Sequence, residues 1–136
     1  MKFALPSKTR RDYWVHAENP SPPQDWTDHS GKWLIFTSFK KLDQIWQLIY
    51  EETVAGRLGL ESKASTSKSN GLAKNPFIKV ICVYTYDSSD IADVMRIRNR
   101  LREIGFKKKL SYKTDQATDE GVYAGSSEKP VSLYYE

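Results

Sequence analysis

Within residues 31–55 the hydrophobic period switches from two to about 3.6, and that switch constrains the fold more than any other stretch. The segment reads GKWLIFTSFKKLDQIWQLIYEETVA. Over residues 32–37 Trp33 and Ile35 share one face of a strand, and Lys32, Leu34 and Phe36 share the other. Both faces are largely apolar, which predicts a central strand. Leu42, Ile45, Trp46 and Ile49 then recur at helical spacing, with Thr37 or Ser38 placed to cap the helix and Gly56 to end it. Trp33 and Trp46 belong to these periodic faces and are expected in the core.

The rest of the chain arranges itself around this unit. Residues 1–11 are basic and unpatterned, as mobile termini are. Residues 12–18 alternate as a first strand, with Trp14, His16 and Glu18 on one face. The prolines of residues 19–30 enforce a loop. Residues 58–65 and 77–86 predict a hairpin around the polar tip 66–75, and FIKVICVYTY is the strongest strand signal in the chain. Residues 87–90 cap a second helix over 89–104, whose apolar face is interrupted by Arg98. Gly105 and Phe106 close it. Strands follow at 109–114 and 131–135. The order β-β-α-β-β-α-β-β has few parallel crossovers. It predicts a single α+β domain over 12–136, a curved and mainly antiparallel sheet with two main helices packed on one face. The opposite face is left open for a ligand.

Composition narrows what that ligand is. A net charge of +4 favours an anionic partner, yet 17 acidic residues among 21 basic ones do not favour broad duplex binding. No apolar run is long enough to span a membrane, and residues 1–11 lack a signal-peptide core. The single cysteine, Cys82, permits no internal disulfide and fits a reducing cytoplasm. His16 and His29 have no metal-ligand spacing, so no metal and no cofactor is expected. No nucleophile elbow or phosphate loop is present, and no catalytic residue follows from the motifs alone.

Several short motifs, in order, resemble the family typified by the basophilic leukaemia-expressed protein. They are Gly31-Lys32-Trp33, Asp43-Gln44-Ile45-Trp46, Ser62-Lys63-Ala64-Ser65, Val83-Tyr84-Thr85, Tyr112-Lys113-Thr114-Asp115, Thr118 and Gly121-Val122-Tyr123. Thr114 departs from the proline frequent there. The glycine–basic–tryptophan strand followed by Leu42–Trp46 is also similar to the translation initiation factor that binds the mRNA cap. That resemblance implies its fold and a concave, anion-friendly site. It does not imply cap binding, because clear counterparts of both residues that sandwich the methylated base are lacking. Some members of the first family are labelled phosphothreonine lyases, which implies an enzymatic alternative.

If Trp33 and Ala64 face the helices, Lys32, Lys63 and Ser65 face the open side, and Lys113 joins from the strand after the second helix. Ammonium groups with a hydroxyl hold phosphate through charge-assisted hydrogen bonds; the same lysines also read as ordinary solvated strand residues. Lys68 and Lys74 on the hairpin tip could close over the ligand. Trp14, Trp26 and Tyr84 are candidates to stack on a base; Tyr112 and Tyr123 are undecided. Arg96, Arg98, Arg100 and Arg102 fan around the second helix and read as solvated surface. The leading expectation is a non-catalytic binder of a small phosphorylated ligand, a nucleotide or nucleotide-derived signal, acting as reader or sponge. The first alternative is a phosphothreonine-lyase-like enzyme using Lys63, His16 and Lys113. The second is a protein-interaction module built on the proline-rich segment and the helix surface.

Overall fold

The computed structural model describes residues 3–68, 77–116 and 132–136. Six strands form one antiparallel sheet: β1 (Trp14–Glu18), β2 (Gly31–Ser38), β3 (Glu61–Ser65), β4 (Ile78–Thr85), β5 (Ser111–Thr114) and β6 (Tyr134–Tyr135). Their order is β1-β3-β4-β2-β5-β6. Helices α1 (Leu42–Val54) and α2 (Ile91–Glu103) cover the back of this curved α+β sheet. β2 is central, paired with β4 on one side and β5 on the other.

The period-two phase fixes which side chains reach the helices. Trp33, Ala64, Ile81, Val83 and Tyr112 are fully buried on the back, against Leu42, Trp46 and Ile49 of α1 and Val94, Ile97 and Leu101 of α2. Trp33 Nε1 donates to the Val94 carbonyl of α2 at 3.1 Å, and its ring meets Tyr112 edge-on at 5.1 Å. Tyr134 packs on Tyr112 at 5.3 Å, so β6 extends the same aromatic layer. Trp46 is equally buried, with its indole N–H unpartnered among the described residues.

Both helices end as their glycines predict. Gly56 (φ 79°) and Gly105 (φ 123°) take positive φ. The next amides, of Arg57 and Phe106, reach back to the Glu52 and Leu101 carbonyls at 3.0 and 2.9 Å, the wrap-around of a Schellman cap. Asp90 caps α2 by accepting from the Asp93 amide. The expected cap of α1 is not formed. A 3-10 turn (Phe39–Lys41) intervenes, the helix starts after Lys41, and neither Thr37 nor Ser38 accepts a capping bond. The strand expected over 58–65 begins only at Glu61, because Leu58 goes into the core from the preceding loop.

Charged residues of the helices serve the packing. Glu52 of α1 receives Arg100 of α2 at 2.8 and 2.9 Å and Arg57 at 2.8 Å. Arg100 holds the Glu52 carboxyl below its ordinary range, outweighing the opposing effect of burial. Arg98 is fully buried. Its guanidinium donates to the carbonyls of Glu136, Phe106 and Lys108 at 2.8, 2.9 and 2.7 Å. Near the chain start, Ser7 donates to Asp43 of α1 from its amide (3.0 Å) and its hydroxyl, and Phe3 packs edge-on to Tyr50.

Gly31 shows why the GKW step starts with glycine. A Cβ there would fall within the Tyr112 phenol. That phenol cannot swing away, since its ring is fully buried and its hydroxyl is bonded to Thr85 Oγ1 at 2.6 Å. Gly31→Ala should therefore destabilise the fold by about 1–3 kcal/mol through overpacking. Urea denaturation measures this, and Gly31→Ala with Tyr112→Phe should not restore stability, because the ring itself is in the way.

Candidate ligand-binding face

Antiparallel partners point to the same side, so the registers lay out the open face. Across one row run His16, Lys63, Cys82, Leu34, Ser111 and Tyr135. The next row brings together Tyr84, Lys32 and Lys113. The phase argument thus places Lys32, Lys63 and Lys113 where Trp33 and Ala64 require, opposite the helices.

At the heart of this face is the Tyr84 ring. Lys32 Nζ lies 5.5 Å and Lys63 Nζ 5.7 Å from its centroid. Trp26, 45% exposed on the proline-rich loop, meets it edge-on at 5.5 Å. The loop is pinned there by Thr27, whose amide and hydroxyl both donate to the Tyr86 carbonyl, at 3.2 and 3.1 Å. Lys63 Nζ also sits 4.0 Å from the Trp14 ring centre. Two ammonium groups and three aromatic rings therefore form one connected surface. Among the described residues Lys63 makes no ion pair; its partners are the Trp14 and Tyr84 rings.

Lys32 and Lys113 are register partners, and both are buried. Lys32 donates to Asp115 Oδ1 at 2.7 Å, and Ser30 Oγ donates to Asp115 Oδ2 at 2.6 Å. Asp115 is thus a member of this cluster and offsets part of its charge. Burial first, and the Lys32 charge second, hold the Lys113 ammonium below the ordinary lysine range. Cys82 lies beneath, and burial pushes its thiol up to about 11, so it is no nucleophile at neutral pH.

Other candidates go elsewhere. The Ser65 hydroxyl bridges strands: it accepts from the Val80 amide at 3.0 Å and donates to the Val80 carbonyl at 3.2 Å. Lys68 turns to the Arg11 carbonyl at 3.0 Å and the Tyr13 ring at 4.4 Å. Tyr112 is core. Lys74, Thr118, Gly121, Val122 and Tyr123 lie outside the described residues. The trio Lys63, His16 and Lys113 is not gathered into one centre. His16 neighbours Lys63 but pairs through Nδ1 with Glu61 Oε1 at 3.1 Å, and Lys113 is three strands from Lys63, about 14 Å at the usual strand spacing. The arginine fan of α2, expected as solvated surface, is corrected at Arg98, which is fully buried because three backbone oxygens take its donors; Arg96 donates to the Leu58 carbonyl at 3.1 Å and pairs with Asp93. Among the described residues no group of acidic, histidine or cysteine side chains could hold a metal ion, and no helix is long and apolar enough to cross a membrane.

A six-stranded antiparallel sheet backed by two helices makes an α+β fold that solved structures share. A schistosome eIF4E, solved as a complex with m7GpppA and 4E-BP, superposes with a TM-score of 0.55 at 13% identity. The match covers 80% of this chain and 60% of that one, so this chain spans well under the full length of its structural neighbour. The chain belongs to the Bles03 family: the family model described as basophilic leukemia-expressed protein Bles03 matches residues 24–119.

Proposed function

We propose that the open face binds a small phosphorylated ligand, most readily a nucleotide or a nucleotide-derived signal, without transforming it. The observation that carries this reading is Lys63, an ammonium bracketed by the Trp14 and Tyr84 rings with no carboxylate partner among the described residues. Beside it Lys32 flanks the same Tyr84 ring, and Lys113 adds a second buried ammonium. A phosphate seated between Lys63 and Lys32 would gain charge-assisted hydrogen bonds in a partly desolvated site. A base would stack on Trp26, whose ring is exposed beside Tyr84. The neighbouring eIF4E was solved with a nucleotide cap, which lends the fold, though not the residues, to this reading. Binding suits the geometry better than lyase chemistry, since the residues such chemistry would enlist are spread over the sheet. A lone buried thiol suits a reducing compartment such as the cytoplasm. Reader and sponge roles both require only that the ligand be held.

A thermal-shift panel of mono-, di- and cyclic nucleotides tests the reading. A rise in Tm with phosphorylated nucleosides and none with the unphosphorylated nucleoside is expected. No rise with any member at millimolar concentration contradicts it.

Lys113 adds a pH signature. Its folded pKa is depressed, so the folded protein sheds this proton before the unfolded chain does, and its contribution to stability rises with pH through that window. A bound anion favours the charged amine and draws the proton back. Phosphate affinity should thus fall as pH rises, beginning below the ordinary lysine range. Lys113→Gln should flatten that decline in a pH series of Kd values.

A further inference from the structure

The open face extends well beyond the Tyr84 cluster, and what it carries there is unusual for a solvent-facing surface. Phe36 stands in the central strand, on the same face as Lys32 and Leu34, and is 63% exposed. Tyr135, also 63% exposed, occupies the far edge in the row that holds Leu34 and Ser111. Lys109 lies 5.6 Å from the Tyr135 ring centre. The face therefore presents aromatic–cation pairs at both ends, Trp14 with Lys63 and Tyr135 with Lys109, with Tyr84, Lys32 and Lys113 between and Phe36 beside them. From β1 to β6 is five strand steps, about 24 Å. One nucleotide occupies only a part of that span.

Resting on the nucleotide reading above, we infer that this face takes a single-stranded oligonucleotide laid across the sheet. The first nucleotide sits at Trp26 and Tyr84, and further bases stack on Phe36 and Tyr135. Charge complementarity selects the occupant: exposed rings interleaved with ammonium groups match alternating bases and phosphates, and stacking tolerates any base sequence. A duplex keeps its base faces covered and cannot use these rings. A hydrophobic peptide would use Phe36 but bring no anion to Lys63.

Fluorescence anisotropy with labelled single-stranded homopolymers, from the mononucleotide to the octamer, tests this on the whole chain. Affinity should climb with length and level off at about four to six nucleotides. With three phosphates neutralised at about 0.7 each, the log–log salt slope should be about −2. Phe36→Ala should weaken hexamer binding about tenfold and Phe36→Trp should retain it, with mononucleotide affinity unchanged in both. Because Phe36 is exposed, both variants should keep the wild-type denaturation midpoint. If the hexamer binds no tighter than the mononucleotide, or a duplex competes equally, the extended site is wrong while the single-nucleotide site stands. If neither mononucleotide nor hexamer binds, both readings fall.

Discussion

Replacing Arg98 with methionine should destabilise the protein by about 3–5 kcal/mol, the largest loss expected from any single helix substitution. The side chain is fully buried, yet it is the common donor to three backbone oxygens on two segments. Phe106 and Lys108 belong to the link from α2 to β5, and Glu136 follows β6. Burial disfavours the Arg98 charge, as does Arg102, while Glu136 favours it. The guanidinium is kept because its donors diverge at fixed angles toward these three oxygens, of which only that of Glu136 also accepts from a backbone amide, Leu110 at 2.8 Å, among the described residues. Methionine fills the volume but leaves the Phe106 and Lys108 carbonyls desolvated without this donor. Lysine should rescue little, since one ammonium cannot copy the fork. The loss is a large share of the 5–15 kcal/mol typical of a domain. Urea denaturation of wild type, Arg98→Met and Arg98→Lys measures it. Equal midpoints would show that the three bonds are dispensable.

The second large effect is on binding. Lys63→Gln should weaken a nucleoside phosphate by about 10–100-fold, the loss of a charge-assisted bond worth about 1.5–3 kcal/mol. Stability should change by under about 1 kcal/mol, because the folded protein loses only cation–π contacts with Trp14 and Tyr84. Lys63→Arg keeps the charge and should retain most of the affinity. Isothermal titration paired with denaturation separates the two effects. A variant that lost stability without losing affinity would reassign Lys63 to the architecture.

Which parts of this picture the sequence discloses follows from how local each cause is. The side on which Lys32 and Lys63 emerge depends only on the period-two phase of their strands, and GKW and SKAS show it. The helix ends at Gly56 and Gly105 are local for the same reason. Asp115 is different: its place beside Lys32 depends on β5 pairing with β2 across more than seventy residues, a register no short motif encodes. The same holds for Arg98. It interrupts an apolar helical face yet reads as solvated surface, because its burial and its carbonyl partners depend on how the following link folds back. Ser65 matched the expected face, yet its hydroxyl is taken by the Val80 backbone where the β3–β4 ladder loosens. Lys68 could not be placed from sequence because a long side chain on a loop chooses among neighbours from other segments, here Tyr13 and Arg11.

The four tryptophans supply the most direct test. Trp14 and Trp26 belong to the open face, whereas Trp33 and Trp46 are fully buried behind the sheet. A nitrogen-15 NMR titration with a nucleoside monophosphate follows all four indole N–H resonances at once. The account predicts saturable shifts for Trp14 and Trp26, with Trp33 and Trp46 nearly still. Shifts confined to the buried pair and the helices, or no shift at millimolar ligand, would contradict it.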